Sequence, residues 1–404
     1  MNTLSFTIKA KTVESYLYGG YLFLLMEDGR ILYVSYHRLI HMLCDRYPRY
    51  SRLIRLAFLH NEYFKSQAAQ LILGIEEIKD SIHNLWSRAS QELTLDIDFE
   101  EIEEYCYLIG EWKSVPLDMY MYDLRMYIAS RDGVFESRLN PDFNNKYYPL
   151  YPSHLEKCFD QKVISLSARA GKVVLSADKE GLFYGNALVE DKRVRIEDKN
   201  HIPGRSLRTG WCDFDLINYA SASNFNYLQN KTANIENPSN DRFRFGDKIE
   251  RKEIVDFATS SYSMRKMMEK ASVKQEDVRY CFNSKGRSFF VLDDGSFVNI
   301  KIKKIDDEVI QYSSVARPLP SISETVKPLK AAIVPNGCVV EFFEKVVLYQ
   351  DGEAFILEDS PSYNIRTYMG SRNYRNMVTV TKQDSVSFHS VDIMDTISSA
   401  RVFS

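Results

Sequence analysis

Cysteines are few in this sequence, and they are widely separated. The 404 residues include six, none of which forms a C-x-x-C pair: Cys44, Cys106, Cys158, Cys212, Cys281 and Cys338. A disulfide framework or a structural zinc site needs more closely spaced cysteines. The spacing therefore predicts reduced thiols with a structural role.

Charge of one sign does not dominate, and long apolar runs are missing. The 52 Lys and Arg residues nearly balance 55 Asp and Glu residues, which gives a net charge of -3 and a pI near 6.2. No overall field attracts nucleic acid or an anionic membrane. Runs such as YLFLLM are too short to cross a bilayer, and the N-terminus lacks a signal-peptide core. We expect a soluble cytoplasmic protein with no membrane partner.

Compact catalytic and cofactor motifs are also missing. The sequence has no G-x-x-x-x-G-K-[ST] phosphate loop, no strand-linked G-x-G-x-x-G and no G-x-S-x-G nucleophile elbow. The histidines stand in unrelated contexts, so that no Ser or Cys triad can be assembled from spacing. No cofactor is predicted. A catalytic site assembled from distant segments stays open.

What the sequence does contain is a recurrent hairpin pattern. In Arg287–Lys303 (RSFFVLDDGSFVNIKIK) a β-prone run is followed by Asp294-Gly295 and a second alternating run. Asp-Gly between such runs is a strong hairpin signal, because glycine adopts positive φ without a Cβ clash. Related turns occur at other points of the chain: Asp28-Gly29, Asp132-Gly133, Asp178 to Gly181, Asp351-Gly352 and, without glycine, Asp384. The gap between Asp178 and Asp294 predicts one more unit near Asn230.

The chain resembles β-propeller proteins in this repeat, although it matches no named propeller family. One four-stranded blade per repeat implies five to seven blades. An irregular β-rich protein or two β domains is the alternative. A first strand at Ser5–Ala10 is expected to pair beside the C-terminal strands VTVTK and SVSFHSV, which would leave no open sheet edge.

A helical insertion interrupts the hairpin pattern near the N-terminus. Pro48 separates a short helix, 37–46, from longer helical sequence. The apolar residues that follow lie on one helical stripe: Ala68, Leu71, Ile72, Ile75, Ile78, Ile82, Leu85 and Ala89. Leu95 and Ile97 indicate a strand, and the spacing of Ile102, Tyr105, Cys106 and Ile109 indicates one more helix. The predicted parts are residues 1–36 (first hairpin and closing strand), 37–110 (insertion) and 111–404 (remaining blades).

The strongest candidate for partner binding is an arginine-rich segment at the start of this insertion. Arg46, Arg49, Arg52 and Arg55 recur every third residue, with Tyr47 and Tyr50 between them. On one helix they would form a guanidinium stripe able to bind phosphates or an acidic protein. The acidic run between Asp96 and Glu104 offers an alternative, in which the arginines are neutralised internally.

Two further constellations are candidates for chemistry. His37, His41 and Cys44 have the spacing of metal ligands on a helix face, although no carboxylate joins them. Asp213 and Asp215, in TGWCDFDL, lie on one side of a predicted strand together with Trp211. Paired carboxylates can hold a divalent ion or act as acid and base. Solvated or buried structural roles are the alternative for both sets.

These observations lead to three functional hypotheses. The first is a non-enzymatic interaction or scaffold subunit that binds protein partners through the insertion or through loops on one propeller face. A bacterial defence-type assembly is one setting for such a subunit, although no residue points to it. The second is a hydrolase that uses Asp213 and Asp215 in a central channel, and the third is a nucleic-acid-binding subunit that uses Arg46 to Arg55.

Overall fold

The computed structural model divides the chain into two compact units. It describes residues 3–59, 67–142, 149–187, 195–212, 215–235, 251–259, 264, 268–269, 273–284, 287–305, 308–313, 327–335, 337–350, 353–371 and 373–391. The first unit consists of Met1–Lys113, Asp294–Phe297 and Val315–Ser404, and the second of Ser114–Asp293 and Val298–Ser314. Strands are numbered here in chain order.

The first unit contains three sheets. One has the order β2-β3-β4-β6, with β2 at Thr12–Tyr18, β3 at Tyr21–Met26, β4 at Arg30–Ser35 and β6 at Tyr107–Glu111. A second runs through β23 at Lys330–Val334, β24 at Gly337–Glu341, β25 at Val346–Gln350 and β26 at Glu353–Glu358. The third has the order β27-β28-β29-β1-β5, with β27 at Asn364–Thr367, β28 at Met377–Thr381, β29 at Val386–Ser390, β1 at Leu4–Lys9 and β5 at Leu95–Asp98.

The second unit contains four sheets, each an up-and-down meander. The first consists of β7 at Pro116–Tyr122, β8 at Arg125–Ser130, β9 at Gly133–Arg138 and β10 at Glu156–Phe159. The next consists of β11 at Ser165–Arg169, β12 at Lys172–Ser176, β13 at Leu182–Asn186 and β14 at Arg195–Ile202. The third sheet consists of β15 at Arg208–Cys212, β16 at Asp215–Tyr219, β17 at Phe225–Ile235 and β18 at Arg251–Thr259. The fourth consists of β19 at Val278–Ser284, β20 at Arg287–Leu292, β21 at Phe297–Ile305 and β22 at Glu308–Ser313.

These seven sheets are the blades of a seven-bladed β-propeller, which confirms the predicted fold class. Asp-Gly or a related turn joins the second and third strands of five blades, as at Asp28-Gly29 between β3 and β4. The Asp351-Gly352 turn, between β25 and β26, lies outside the described residues. The unit predicted near Asn230 is present, because Asn230 lies in β17.

The N-terminal strand completes the last blade, as predicted. β1 pairs antiparallel with β29, with Phe6 opposite Phe388 and Ser5 opposite His389. The ring of Phe6 stacks on that of Phe388 at 4.4 Å and meets Phe58 edge-on at 4.9 Å. This aromatic cluster joins the two ends of the chain to one hydrophobic core.

The insertion leaves the first blade after β4 and returns to it at β6. Its helices are α1 at Tyr36–Arg46, α2 at Ser51–Phe58, α3 at Gln67–Leu73, α4 at Glu76–Glu92 and α5 at Phe99–Ile102, with 3-10 turns at Pro48–Tyr50 and Glu103–Tyr105. No helix in the described part of the chain has the length and apolar character that crossing a membrane requires.

Two predictions about the end of the insertion need correction. Ile109 lies in strand β6 rather than in a helix, because β6 provides the hydrogen-bond partner for the edge of β4, with Leu108 opposite Leu32. The insertion therefore ends before Tyr107, and not at residue 110. Its strand β5 pairs parallel with β1, with Ile97 opposite Ile8, and so extends the last blade to five strands.

Candidate functional site

Helices α1 and α2 of the insertion belong to the hydrophobic core of the first unit. Ser35 caps α1 by accepting a hydrogen bond from the backbone amide of Arg38 at 3.4 Å. Ser390 of β29 donates to the carbonyl of Ala57 at 2.8 Å, which fixes α2 to the last blade. The faces of both helices that point to the core carry buried apolar side chains: Tyr36, Leu39, Ile40, Leu43, Leu53, Ile54, Ala57 and Phe58.

Helices α3 and α4 differ, because most of their apolar stripe is exposed. On α4 only Trp86 and Ala89 are buried, and both pack into the core of the first unit. Leu71 is 71% exposed and Ile75 is 48% exposed. We use the name apolar ridge for the exposed members of the stripe: Leu71, Ile72, Ile75, Ile78 and Leu85. Leu71 and Ile72 lie on α3, Ile75 precedes α4, and Ile78 and Leu85 lie on α4. Large apolar side chains that are exposed close together are typical of an interaction site.

The arginine-rich segment does not form one continuous stripe. Helix α1 ends at Arg46, and Pro48 begins a 3-10 turn before α2 starts at Ser51. A proline has no amide hydrogen to donate, so it interrupts the helix at this point. Arg46 and Arg49 therefore lie outside the helix that carries Arg52 and Arg55.

Three members of this segment hold the insertion together internally. Arg46 forms an ion pair with Glu101 and donates to the carbonyl of Asp96 at 2.8 Å. The Tyr47 hydroxyl donates to the carbonyl of Thr94 at 2.8 Å. Tyr50 is buried and donates to the carboxylate of Glu92. For Arg46 the structure supports the internal-neutralisation alternative, whereas Tyr47 and Tyr50 bond to residues outside the acidic run.

The other three arginines face solvent. Arg49 lies 5.5 Å from the ring centroid of Tyr50. Arg52 and Arg55 are exposed and, within the described part of the chain, are in no ion pair. The cationic surface that remains available to a partner is thus limited to Arg49, Arg52 and Arg55.

The three candidates for metal binding do not share one helix face, because the cysteine is buried and the two histidines are exposed. Cys44 is buried on the core side of α1, where its thiol donates to the carbonyl of Ser51 at 3.4 Å. His37 and His41 are exposed. Among the described residues no group of three His, Cys, Asp or Glu side chains is placed to hold a metal ion.

The predicted arrangement of Trp211 and Asp215 on one strand face is wrong. β15 ends at Cys212 and β16 begins at Asp215, which lies opposite Cys212 in a hairpin. Trp211 packs in a cluster with Leu216, whereas Cys212 packs on the other face of the blade. Asp213 lies outside the described residues.

Asp215 is a buried carboxylate with hydrogen-bond partners in its own blade. It is 3% exposed. One oxygen accepts from the Tyr227 hydroxyl at 2.5 Å, and the other accepts from the backbone amide of Asn230 at 2.8 Å and from its side-chain amide at 2.6 Å. Both oxygens accept hydrogen bonds from donors of the same blade, which compensates the burial of this carboxylate.

One polar network was missed by sequence reasoning, because its members are far apart in the chain. The Ser5 hydroxyl lies 2.8 Å from Nδ1 of the buried His389, and Nε2 of His389 lies 3.0 Å from Glu358. Lys382 donates to the second oxygen of Glu358 at 2.7 Å. Burial by itself would raise the pKa of Glu358, but hydrogen bonds from His389, Lys382 and Ser387 and the charge of His389 outweigh it and lower this pKa to about 2.

This network connects β26 of one blade with β1 and β29 of the next. Thr7 and Ser387, which face each other in the pairing of β1 with β29, add a hydroxyl pair at 3.3 Å on the same blade face. Because His389 is enclosed between a hydroxyl and a carboxylate, the network fixes neighbouring blades to one another. The sequence could have predicted this network only if the pairing of β1 with β29 had already been known in register.

Comparison with known proteins identifies no family for this chain. No family model matches it, and no curated protein matches it. The computationally designed protein Ika8 has a TM-score of 0.43 and 9% identity, with 97% of this chain and 100% of that chain covered. A proposed 6-phosphogluconolactonase from Bacteroides fragilis has a TM-score of 0.38 and 8% identity, with 69% and 80% covered. At this level of similarity neither comparison carries an argument about function.

Proposed function

We propose that the protein is a non-enzymatic interaction subunit of a larger assembly and that it docks a protein partner through its helical insertion. The observation that supports this proposal is the apolar ridge on α3 and α4. Helices α1 and α2 place their apolar faces in the core, whereas the ridge leaves five large aliphatic side chains in contact with water. Burying such a surface in a complex provides the main driving force for association.

The rest of the fold suits this role. A propeller blade that ends in short turns gives a rigid base for an appended docking element. Trp86, which is 2% exposed, anchors α4 to the core of the first unit close to the ridge. A rigidly anchored surface loses little conformational entropy when it binds. We also propose a cytoplasmic location, which the six free thiols, all within the described residues, support.

The test is partner capture from native cells with point variants of the ridge. Deleting residues 37–110 would remove β5 and most of β6 and so damage two blades. We therefore compare the full chain with the variants Leu71→Ser and Ile75→Ser. The matched control is Ile356→Ser, which changes an isoleucine 59% exposed on the edge strand β26.

Nuclease-treated extracts should yield a stoichiometric protein with the full chain and with Ile356→Ser. Both ridge variants should lose it while they keep their far-ultraviolet circular dichroism spectrum. Equal capture by all four proteins would refute docking through the ridge.

Nucleic-acid binding is the second candidate, and the exposure of Arg49, Arg52 and Arg55 favours it. Its test is the affinity for duplex DNA or RNA at increasing salt, because every phosphate that the protein neutralises makes the affinity fall more steeply with salt. Arg52→Glu should weaken such binding and reduce the salt slope by about one phosphate. Binding that Arg52→Glu leaves unchanged would count against this candidate.

A further inference from the structure

Two opposite charges stand near the two ends of α4, beside the part of the apolar ridge that this helix carries. Glu77 stands in the first turn of α4 and Arg88 in its last turns, and both are exposed. In the described part of the chain neither forms an ion pair. They are eleven residues apart, which is three helical turns plus roughly 20°, or a rise of about 16 Å. Glu77 and Arg88 therefore lie on the same flank of the helix.

This pattern is complementary to itself. When two helices pack antiparallel, each flank of one helix faces the same flank of the other. A second α4 that runs antiparallel would place its Arg88 beside Glu77, and its Glu77 beside Arg88, so that two ion pairs form around a two-fold axis. The axis would pass near Ile82, with Ile78 packed toward Leu85 of the partner subunit.

We propose that α3 and α4 form the interface of a homodimer in which two α4 helices pack antiparallel along their apolar ridges. The inference rests on the proposed function and names a second copy of this chain as the partner at the same surface. The dimer would then carry two propellers, and each surface of the propeller outside the interface would occur twice in the assembly.

The charges favour a second copy over an unrelated helix. A partner helix with only basic flanks would meet Arg88 with like charge, and one with only acidic flanks would meet Glu77 with like charge. Antiparallel packing also places the positive N-terminal end of each helix dipole beside the negative C-terminal end of the other. A stable dimer buries about 800 Å² per subunit, so residues of α3 such as Leu71 and Ile72 must join the contact.

The experiment is sedimentation equilibrium of the full chain over concentrations from about 1 to 100 µM, a range that covers weak and moderate dimers. The variants are Glu77→Arg, Arg88→Glu and the double exchange Glu77→Arg/Arg88→Glu. Glu100→Arg is the control, because Glu100 is an exposed glutamate of α5 outside the ridge. Circular dichroism checks that each variant is folded.

We expect a dimer in which each single reversal raises Kd about tenfold or more, since it replaces two attractive pairs by two repulsive ones. The double exchange should restore Kd to within about threefold, as swapped pairs re-form. A chain that is monomeric at the highest concentration overturns the proposal, and so does a double exchange as weak as the single variants.

The two proposals can fail separately. A monomeric chain whose ridge variants lose a cellular protein would refute the homodimer and leave the docking function standing. A dimer sensitive to Glu77 and Arg88, whose ridge variants capture the same proteins as the full chain, would support the homodimer and refute docking of another protein through the ridge.

Discussion

Acid should destabilise the folded protein through the network around Glu358. The carboxylate accepts from His389 and Lys382 in the folded state, and its pKa lies at about 2 rather than at the usual 4.5. A carboxyl whose pKa is lowered by folding stabilises the folded state above its unfolded pKa, and this stabilisation disappears as the pH falls toward its folded pKa. The sensitive window is therefore pH 4.5 down to about 2.

The size of the effect follows from the two pKa values. A shift of about 2.5 units corresponds to roughly 3 kcal/mol when the carboxyl is fully ionised, and about 2 kcal/mol of it should be lost between pH 5.5 and pH 3. The side chains of Glu358 and His389 are 12% and 4% exposed, so solvent screening is limited. Against a domain stability of about 5 to 15 kcal/mol this loss is measurable.

The assay is urea unfolding of the full chain and of Glu358→Gln at several pH values from 5.5 to 3. Glutamine keeps the shape of glutamate but does not titrate, so that the contribution of Glu358 is the difference between the two proteins. That difference should shrink by about 2 kcal/mol on acidification. A difference that stays constant over this range would refute the assignment of acid sensitivity to Glu358.

Two further predictions concern positions where the structure restricts the residue type. Gly133→Ala should destabilise the protein by well over about 1 kcal/mol in urea unfolding, because the φ of Gly133 is +132° and a Cβ atom would lie 2.0 Å from the carbonyl oxygen of Phe159. The control is Gly19→Ala, which should cost only about 1 kcal/mol, because Gly19 has a φ of +58° and no atom within 4 Å of the added Cβ. Equal losses of stability in the two variants would contradict the steric argument. Asp215→Asn should lower the free energy of unfolding by about 2 to 3 kcal/mol, because an amide nitrogen would replace one oxygen that accepts from Tyr227 or Asn230. Capture of partners should stay unchanged. A stable variant that lost partner capture would instead assign Asp215 a functional role.

The fold was accessible from the sequence because its strongest signals are local. A hairpin turn such as Asp28-Gly29 needs only adjacent residues: Gly29 adopts a φ of +99°, and the Asp28 carboxylate accepts from the amide of Arg30 at 3.0 Å. The blade around Asn230 gave no such signal, because Ser221 and Asn224 make the turn between β16 and β17 without glycine. Its presence followed only from the spacing of the other turns.

The site was less accessible, since burial depends on the rest of the fold. The spacing of Ile75, Ile78 and Leu85 identified a helical stripe, but whether an apolar stripe meets the core or solvent is decided by tertiary packing. The arginines from Arg46 to Arg55 recur every third residue in the sequence, but the helix is interrupted at Pro48, so that they do not share one helical stripe. The pairing of Ser5 with His389 could not be read from sequence, because these residues become neighbours only when β1 joins β29.

The parallel pairing of β5 with β1 has a consequence for synthesis on the ribosome. The N-terminal strand cannot meet β29 until nearly the whole chain has emerged, and an unpaired strand edge is prone to intermolecular pairing. Strand β5 is made fewer than a hundred residues after β1, and it covers one edge of β1 in register from Phe6 to Lys9. The insertion thus provides an early partner for one edge of β1, and this pairing persists in the folded protein while the opposite edge of β1 pairs with β29.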